Sequence, residues 1–306
     1  MRVTNNMMTN NMMSQIHRLN EELLAVQEKI SSQKRINRPS DDPLGTSRVM
    51  DYRSSIAAID QYQDNITTAK TRIEFSESVL GFVDDLLAQA RAVAQESSDP
   101  DISAGKRRLA ADTVKDIYDQ IMQMANSKYG NAYIFSGHKS DTEPYVRDAA
   151  YAATYQGDDG EARFIIGENS TVSVEANGEN IFNPDRDGDG NTDAGAVDIF
   201  LQLKNLIDGL ENADPAAIQA TIEPLWDARE QVNNVRSELG PKIDRLNMNE
   251  NYWANLRPQL RQAITDIEDA DLPKAAMELQ TLELSYQTTL ATTAKIIQPT
   301  LMDFLK

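Results

Sequence analysis

Residues 30–51 read ISSQKRINRPSDDPLGTSRVMD. A basic, helix-compatible stretch ends here at Pro39, and helical sequence resumes after Pro43. Arg35 and Arg38 lie where they favour the negative end of a preceding helix. Ser40 is placed to cap a second helix, Asp41 and Asp42 suit its positive end, and Pro43 sits in the first turn, where a missing N–H costs nothing. The segment therefore reads as a stop and restart between two helices, and the sequence on either side decides what kind.

Upstream, Ile16, Leu19, Leu23, Val26 and Ile30 recur at alternating three- and four-residue steps, the a and d positions of a heptad. Such a stripe is narrow and suits one partner helix. Downstream, Tyr52, Ile59, Ile66, Ile73, Leu80, Leu87 and Ala94 recur every seven residues. A continuous helix from about Leu44 to Ser97 would span roughly 80 Å at about 1.5 Å per residue, longer than a globular core needs, and predicts a rod. SSDPD at 97–101 ends it, and a third helix follows with an expected apolar face of Leu109, Ile117, Ile121 and Met124.

After Gly130 the texture changes. The runs AYIF, ATYQ, ARFIIG and TVSVEA, separated by GDDG, GENS and NGEN, predict hairpins over about residues 131–183. From Ala194 onward the sequence is helical again, punctuated by Pro215, Pro224, Pro241 and Pro258, each able to start or kink a helix. At the end, Leu279, Leu282, Tyr286, Leu290, Thr293, Ile297, Leu301 and Phe304 follow an eleven-residue repeat. Both ends of the chain thus present apolar seams. These either pair with each other in one bundle or serve as assembly surfaces for other copies, and each buried Leu or Ile would contribute roughly 1.5–3 kcal/mol.

Composition removes several function classes. The chain has 306 residues and a net charge of −18, which disfavours partners bound through phosphate, so neither nucleic acid nor anionic lipid is expected. Charge is uneven: residues 141–200 hold fourteen acids against three Arg, while residues 1–40 hold six basic residues against three Glu. Cysteine is absent, which excludes disulfides and thiol catalysis. The start, MRVTNNMMTNNMMSQIHRLN, lacks the apolar core of a cleaved secretory signal, and no run of apolar residues long enough to span a membrane occurs. Five of the eleven Met lie in the first thirteen positions, and flexible apolar contact explains them better than copper binding.

Enzymatic chemistry finds no support. The two histidines, His17 and His138, belong to no metal or triad motif, and no nucleophile elbow or phosphate loop is present. Asp41–Asp42 and Asp84–Asp85 read as capping and solvation rather than acid–base pairs, and no cofactor is expected. DRDGDGNTDAGA at 185–196 places Asp185, Asp187, Asp189 and Asp193 at calcium-loop spacing, but Ala196 stands where a bidentate Glu belongs. A solvated connecting loop is the plainer reading.

The restart segment resembles the opening of bacterial flagellins, LSSG-RIN-A-DD-AG followed by a long helix. Ile36, Asn37, Asp41, Asp42 and Gly45 stand in matching places, while Gln33 and Lys34 replace the usual Gly and Leu. The ending, ITDIEDADLPKAAMELQTLELSYQTTLATTAKIIQPTLMDFL, resembles the flagellin C-terminus. Within that superfamily the MRV start, GNAYIFSGHKSDTEPY at 130–145 and the modest middle insertion resemble the members found at the junction of hook and filament. The resemblance implies a mainly α fold with an inserted small β domain, in which N- and C-terminal regions form a long antiparallel helical rod. It implies a terminal coiled-coil region (1–40 plus 272–306), a helical rod domain (41–130 plus 200–271) and an acidic outer domain (131–199). Arg35, Ile36, Asn37, Ser40, Asp41 and Asp42 become the joint between the first two. The implied partners are further copies of the chain, flagellin, another hook-associated protein and an export chaperone, and the implied location is the extracellular flagellum, reached without a cleaved signal.

Overall fold

The computed structural model describes residues 2–174, 178–183 and 195–297, with side chains from residue 7 to residue 295 within those ranges. Eight helices and six short strands occur among them: α1 (Arg2–Ser32), α2 (Pro43–Ser97), α3 (Ala104–Ala125), β1 (Lys128–Tyr129), β2 (Ala132–Tyr133), β3 (Tyr145–Arg147), β4 (Ala153–Tyr155), β5 (Arg163–Gly167), β6 (Ser170–Ser173), α4 (Gly178–Phe182), α5 (Ile199–Glu211), α6 (Pro215–Ala220), α7 (Ile222–Glu268) and α8 (Leu272–Ile297). The strands pair only as successive antiparallel hairpins, β1–β2, β3–β4 and β5–β6. The fold is mainly helical with a small central strand region, as the sequence predicts. It divides into two units, residues 1–58 with 254–306, and residues 59–253.

The larger unit is organised by the seven-residue repeat. Ile66, Ile73, Leu80, Leu87 and Ala94 are fully covered, and so are the positions three residues on, Ala69, Val83 and Ala90, with Ser76 and Ser97 nearly so. On α7 the matching set is Leu225, Val232, Leu239 and Leu246, again at seven-residue steps and all buried. Ion pairs fix the antiparallel register. Arg229 grips Asp84 with two hydrogen bonds of 2.9 and 3.1 Å, and Arg236 reaches Glu77 at 2.6 Å. Pro224 lies in the first turn of α7, but Pro241 and Pro258 are interior, so neither starts a helix. The lost N–H and the crowding that proline brings are outweighed by apolar burial on both sides of Pro241.

The buried face of α3 is Ala111, Val114, Ile117, Tyr118, Ile121 and Ala125. Leu109, expected on that face, is instead 70% exposed, because it lies two residues from each of the covered positions Arg107 and Ala111 and so on the far side of the helix. Arg107 is buried instead; its guanidinium donates to the carbonyls of Ser97 (3.0 Å) and Asp99 (2.7 Å), closing the end of α2. Such a long planar donor can satisfy several orphan carbonyls at once.

The strand region packs onto these helices through an aromatic cluster. Tyr145 lies 5.1 Å from Tyr155 and Phe200, and 5.5 Å from Phe182, between ring centroids. The motif AYIFSG is accounted for by packing. Ile134, Phe135 and Ser136 are buried, and Gly137 has φ 67° with Asp158 so close that a Cβ would collide with it. Gly178, Glu179 and Asn180 of NGEN, expected to be a turn, are the first residues of helix α4; Gly178 passes so near the Phe135 carbonyl that no side chain fits. The β5–β6 hairpin is held to the helices by Asn65 and Trp253, which donate to the carbonyls of Ile165 and Ile166, each at 2.8 Å.

Truncating the fully covered Leu80 to Ala should lower stability by about 3–4 kcal/mol. Leu109→Ala should change it by less than about 0.5 kcal/mol, since that side chain is mostly solvated. Chemical denaturation of the two variants checks the assignment of the faces.

Candidate assembly interface

The smaller unit brings the two chain ends together. Helix α1 packs on α8, and because the segment after α1 meets the segment before α8, the two run antiparallel. Ile16, Leu19, Leu23 and Ile30 are half-buried and Val26 is covered, while on α8 Leu279, Leu282 and Tyr286 are half-buried and Leu290 is 42% exposed. Ala275 and Thr293 are the covered positions of α8. The predicted seams thus meet each other, and one partner helix covers each only in part. Further large apolar side chains, Met13, Leu24, Met277 and Leu284, are solvent-exposed on the same helices. Leu301 and Phe304 lie outside the described residues, as does the side chain of Ile297. The calcium-loop positions Asp185, Asp187, Asp189 and Asp193 also lie outside them. Among the described residues no cluster of three or more potential metal ligands occurs, and no helix is long and apolar enough to cross a membrane.

At the root of this pair two helix breaks lie side by side. Lys34 forms a minimal antiparallel bridge with Asp269, made by two flanking hydrogen bonds: Arg35 N donates to Glu268 O (2.7 Å), and Ala270 N donates to Gln33 O (2.9 Å). The Arg35 guanidinium donates to the Ile267 carbonyl at 2.7 Å, satisfying one of the last acceptors of α7. Ile36 is buried, and its Cδ1 would lie 2.9 Å from a Cβ added to Gly45, so a side chain there would have to displace the ends of Ile36 and Asp42. Asn37 and Arg38 both donate their backbone N–H to the Asp41 carboxylate, at 3.0 and 2.9 Å. Those two hydrogen bonds, Arg38's the larger influence, hold the Asp41 carboxyl below its ordinary range.

The cap of α2 is not Ser40. The helix begins at Pro43, and Asp42 Oδ1 accepts from Gly45 N at 2.8 Å, the N-cap geometry. Ser40 is two residues too early and exposed, because the DDP turn is longer than the capping reading assumed. The second break repeats the device: Asp271 accepts from Lys274 N at 3.1 Å, with Pro273 in the first turn of α8.

Sequence reasoning missed the centre of the joint. Glu268 is buried and receives Lys34 Nζ at 2.7 Å and Arg53 Nη2 at 2.9 and 2.6 Å. Burial alone would raise its carboxyl, but the Lys34 hydrogen bond and the nearby Arg53 charge prevail and hold it below the usual glutamate value. The three residues are far apart in sequence and follow no local pattern, so only the fold reveals them. One signal was legible: Gln33 replaces a glycine of the flagellin pattern, and it has φ 60°, a left-handed conformation that glycine adopts freely.

Asp42→Ala should weaken the start of α2 by about 1 kcal/mol, and Ser40→Ala should leave it within about 0.5 kcal/mol. Gln33→Gly, which relieves the left-handed strain, should stabilise by up to about 1 kcal/mol, less the extra chain entropy of glycine. Thermal melts of the three variants check these signs.

Residues 3–140 match the bacterial flagellin N-terminal helical region, and residues 222–305 match the bacterial flagellin C-terminal helical region. Flagellar hook-associated protein 3 of Salmonella typhimurium is 27% identical over 94% of this chain and 96% of its own length. Flagellin of Bacillus subtilis is 26% identical over 91% of this chain and 90% of its own. In structure the chain is similar to the flagellar junction protein FlgL of Legionella pneumophila, with TM-score 0.58 and 16% identity, over 72% of this chain and all of that one. With both helical regions matched and the two chain ends paired, the chain belongs to the bacterial flagellin family.

Proposed function

We propose that this chain is the subunit that joins the hook side of the bacterial flagellum to the flagellin filament. The observation that carries this is the similarity to hook-associated protein 3 along nearly the whole of both chains. The chain works as a structural element and not as an enzyme. The partly covered α1–α8 seams support an assembly role: Ile16, Leu19, Leu23, Ile30, Leu279, Leu282, Tyr286 and Leu290 keep apolar surface that neighbouring subunits can cover. Further copies of the chain, flagellin on one side and another hook-associated protein on the other are the partners of this reading. An export chaperone would hold the apolar ends before assembly, and export would proceed without a cleaved signal. The domain division follows: residues 1–40 with 272–306 assemble, 41–130 with 200–271 form the helical body, and 131–199 face outward.

The match to Bacillus subtilis flagellin favours a second reading, a short filament subunit. Deleting the gene in its host separates the two. Under the junction reading, electron microscopy shows bare hooks and flagellin accumulates in the medium. Filaments that still assemble, altered in shape or number, would favour the filament subunit.

A further inference from the structure

Along one side of α2, Glu77, Asp84 and Arg91 follow one another at seven-residue steps. The first two meet arginines of α7: Arg236 reaches Glu77 at 2.6 Å and Arg229 reaches Asp84 at 2.9 Å. At the third step the charge is inverted. Arg91 meets no carboxylate there, and its guanidinium lies over the Trp226 ring, 4.8 Å from the centroid. The Arg229 guanidinium is 5.7 Å from the same ring, so two cations share one indole, and among the described residues the carboxylate bonded to them is Asp84, on Arg229. Arg91 itself makes no hydrogen bond or ion pair among the described residues; its Nε is shut off from solvent while its outer nitrogens are not. Trp226 is 44% exposed.

A single chain gains little by this arrangement. A guanidinium presents five donors in a rigid fork that matches a carboxylate, and withdrawing one of them from water without an acceptor forfeits a hydrogen bond. Stacking on an exposed indole returns only a modest part of that loss. What the two side chains do offer is an apolar wall beside unfilled charged donors, and Trp and Arg are among the residue types that carry most of the binding energy where protein surfaces meet. The site lacks only an anion.

We propose that Arg91 and Trp226 form a docking site for an Asp or Glu carboxylate of a second copy of this chain. The proposal rests on the assembly reading above, under which copies are neighbours, and charge complementarity selects the occupant. The chain carries 48 Asp and Glu against 30 Lys and Arg, and residues 141–200 alone hold fourteen acids against three Arg. Each copy therefore brings surplus carboxylates, the exposed Asp159 and Glu168 among them. A carboxylate arriving from a neighbour takes the outer nitrogens of Arg91, lays its carbon stem on Trp226 and supplies the acid that the third step of the ladder lacks. All the residues of the site belong to the larger unit, so it is built independently of the α1–α8 pair.

Arg91→Lys keeps the charge and puts an amine in place of the guanidinium, so a carbodiimide, which joins an amine to a carboxylate in contact with it, reads the neighbour directly. Flagella purified from a host carrying the full-length Arg91→Lys chain are treated, and the peptide joined to residue 91 is identified by mass spectrometry. The expected product is a band of twice the chain's mass in which residue 91 is bonded to an Asp or Glu of a second copy. An amide to another protein or within one copy, or no amide while the chain is present in the flagella, would overturn the proposal. A chain absent from the flagella would overturn the assembly reading and the proposal with it, so the two failures are told apart. In cells producing both chains, Arg91→Glu should enter flagella about tenfold less often than wild type, and equal entry would overturn the site. Purified Arg91→Gln should melt within about 3 °C of wild type, since Arg91 only stacks on Trp226 within its own chain. A drop of about 10 °C or more would make Arg91 a residue of the single chain's fold and overturn the docking role.

Discussion

The structure depends on one long side-by-side contact between α2 and α7 within residues 59–253. Each helix carries a seven-residue apolar repeat, Ile66 to Ala94 on one and Leu225 to Leu246 on the other, and each repeat is covered to the last position. A stripe of this length cannot be buried by a helix against itself, so it selects a partner with the same period. Asp84–Arg229 and Glu77–Arg236 select one register among those the hydrophobic repeat would tolerate. The contact is strong enough that α7 continues through Pro241.

The strand region attaches to this contact and does not build a core of its own. Its hairpins are two to five residues per strand, too short to be stable alone. Their aromatic residues close over α3 and α5, and Asn126 serves as a surrogate strand, accepting from Tyr145 N at 2.9 Å and donating to Tyr145 O at 2.8 Å. The motif residues of AYIFSG and the following Pro-Tyr are therefore packing and turn residues. The apolar stripes that a single chain covers only in part lie instead on α1 and α8, next to a joint of charged and backbone groups.

That joint illustrates how local and non-local causes differ. Asp41 and Asp42 act on atoms within seven residues of themselves, through turn and cap hydrogen bonds that short-range chemistry anticipates and a contact from Asp42 to Arg35. The cap nevertheless falls two residues later than expected, at Asp42 and not Ser40, because a capping preference ranks Ser and Asp about equally and geometry alone selects between them. Glu268 acts on Lys34 and Arg53 across more than two hundred residues of chain, and no periodicity marks it.

The sequence by itself determined the mainly helical class, the breaks at Pro39–Pro43 and Ser97–Asp101, the hairpin region, and the apolar stripes of α1 and α8 as far as Leu290. All of these follow from hydrophobic period and from the fixed backbone limits of proline, glycine and aspartate, which act over a few residues. Tertiary structure alone decided that the α1 and α8 seams meet each other, that Leu109 faces water while Arg107 is buried, that residues 178–180 of NGEN begin a helix, and that Glu268 binds the two helix breaks together. These depend on which distant segments share space. A one-dimensional pattern states how much apolar surface must be covered, and only the folded chain settles by what.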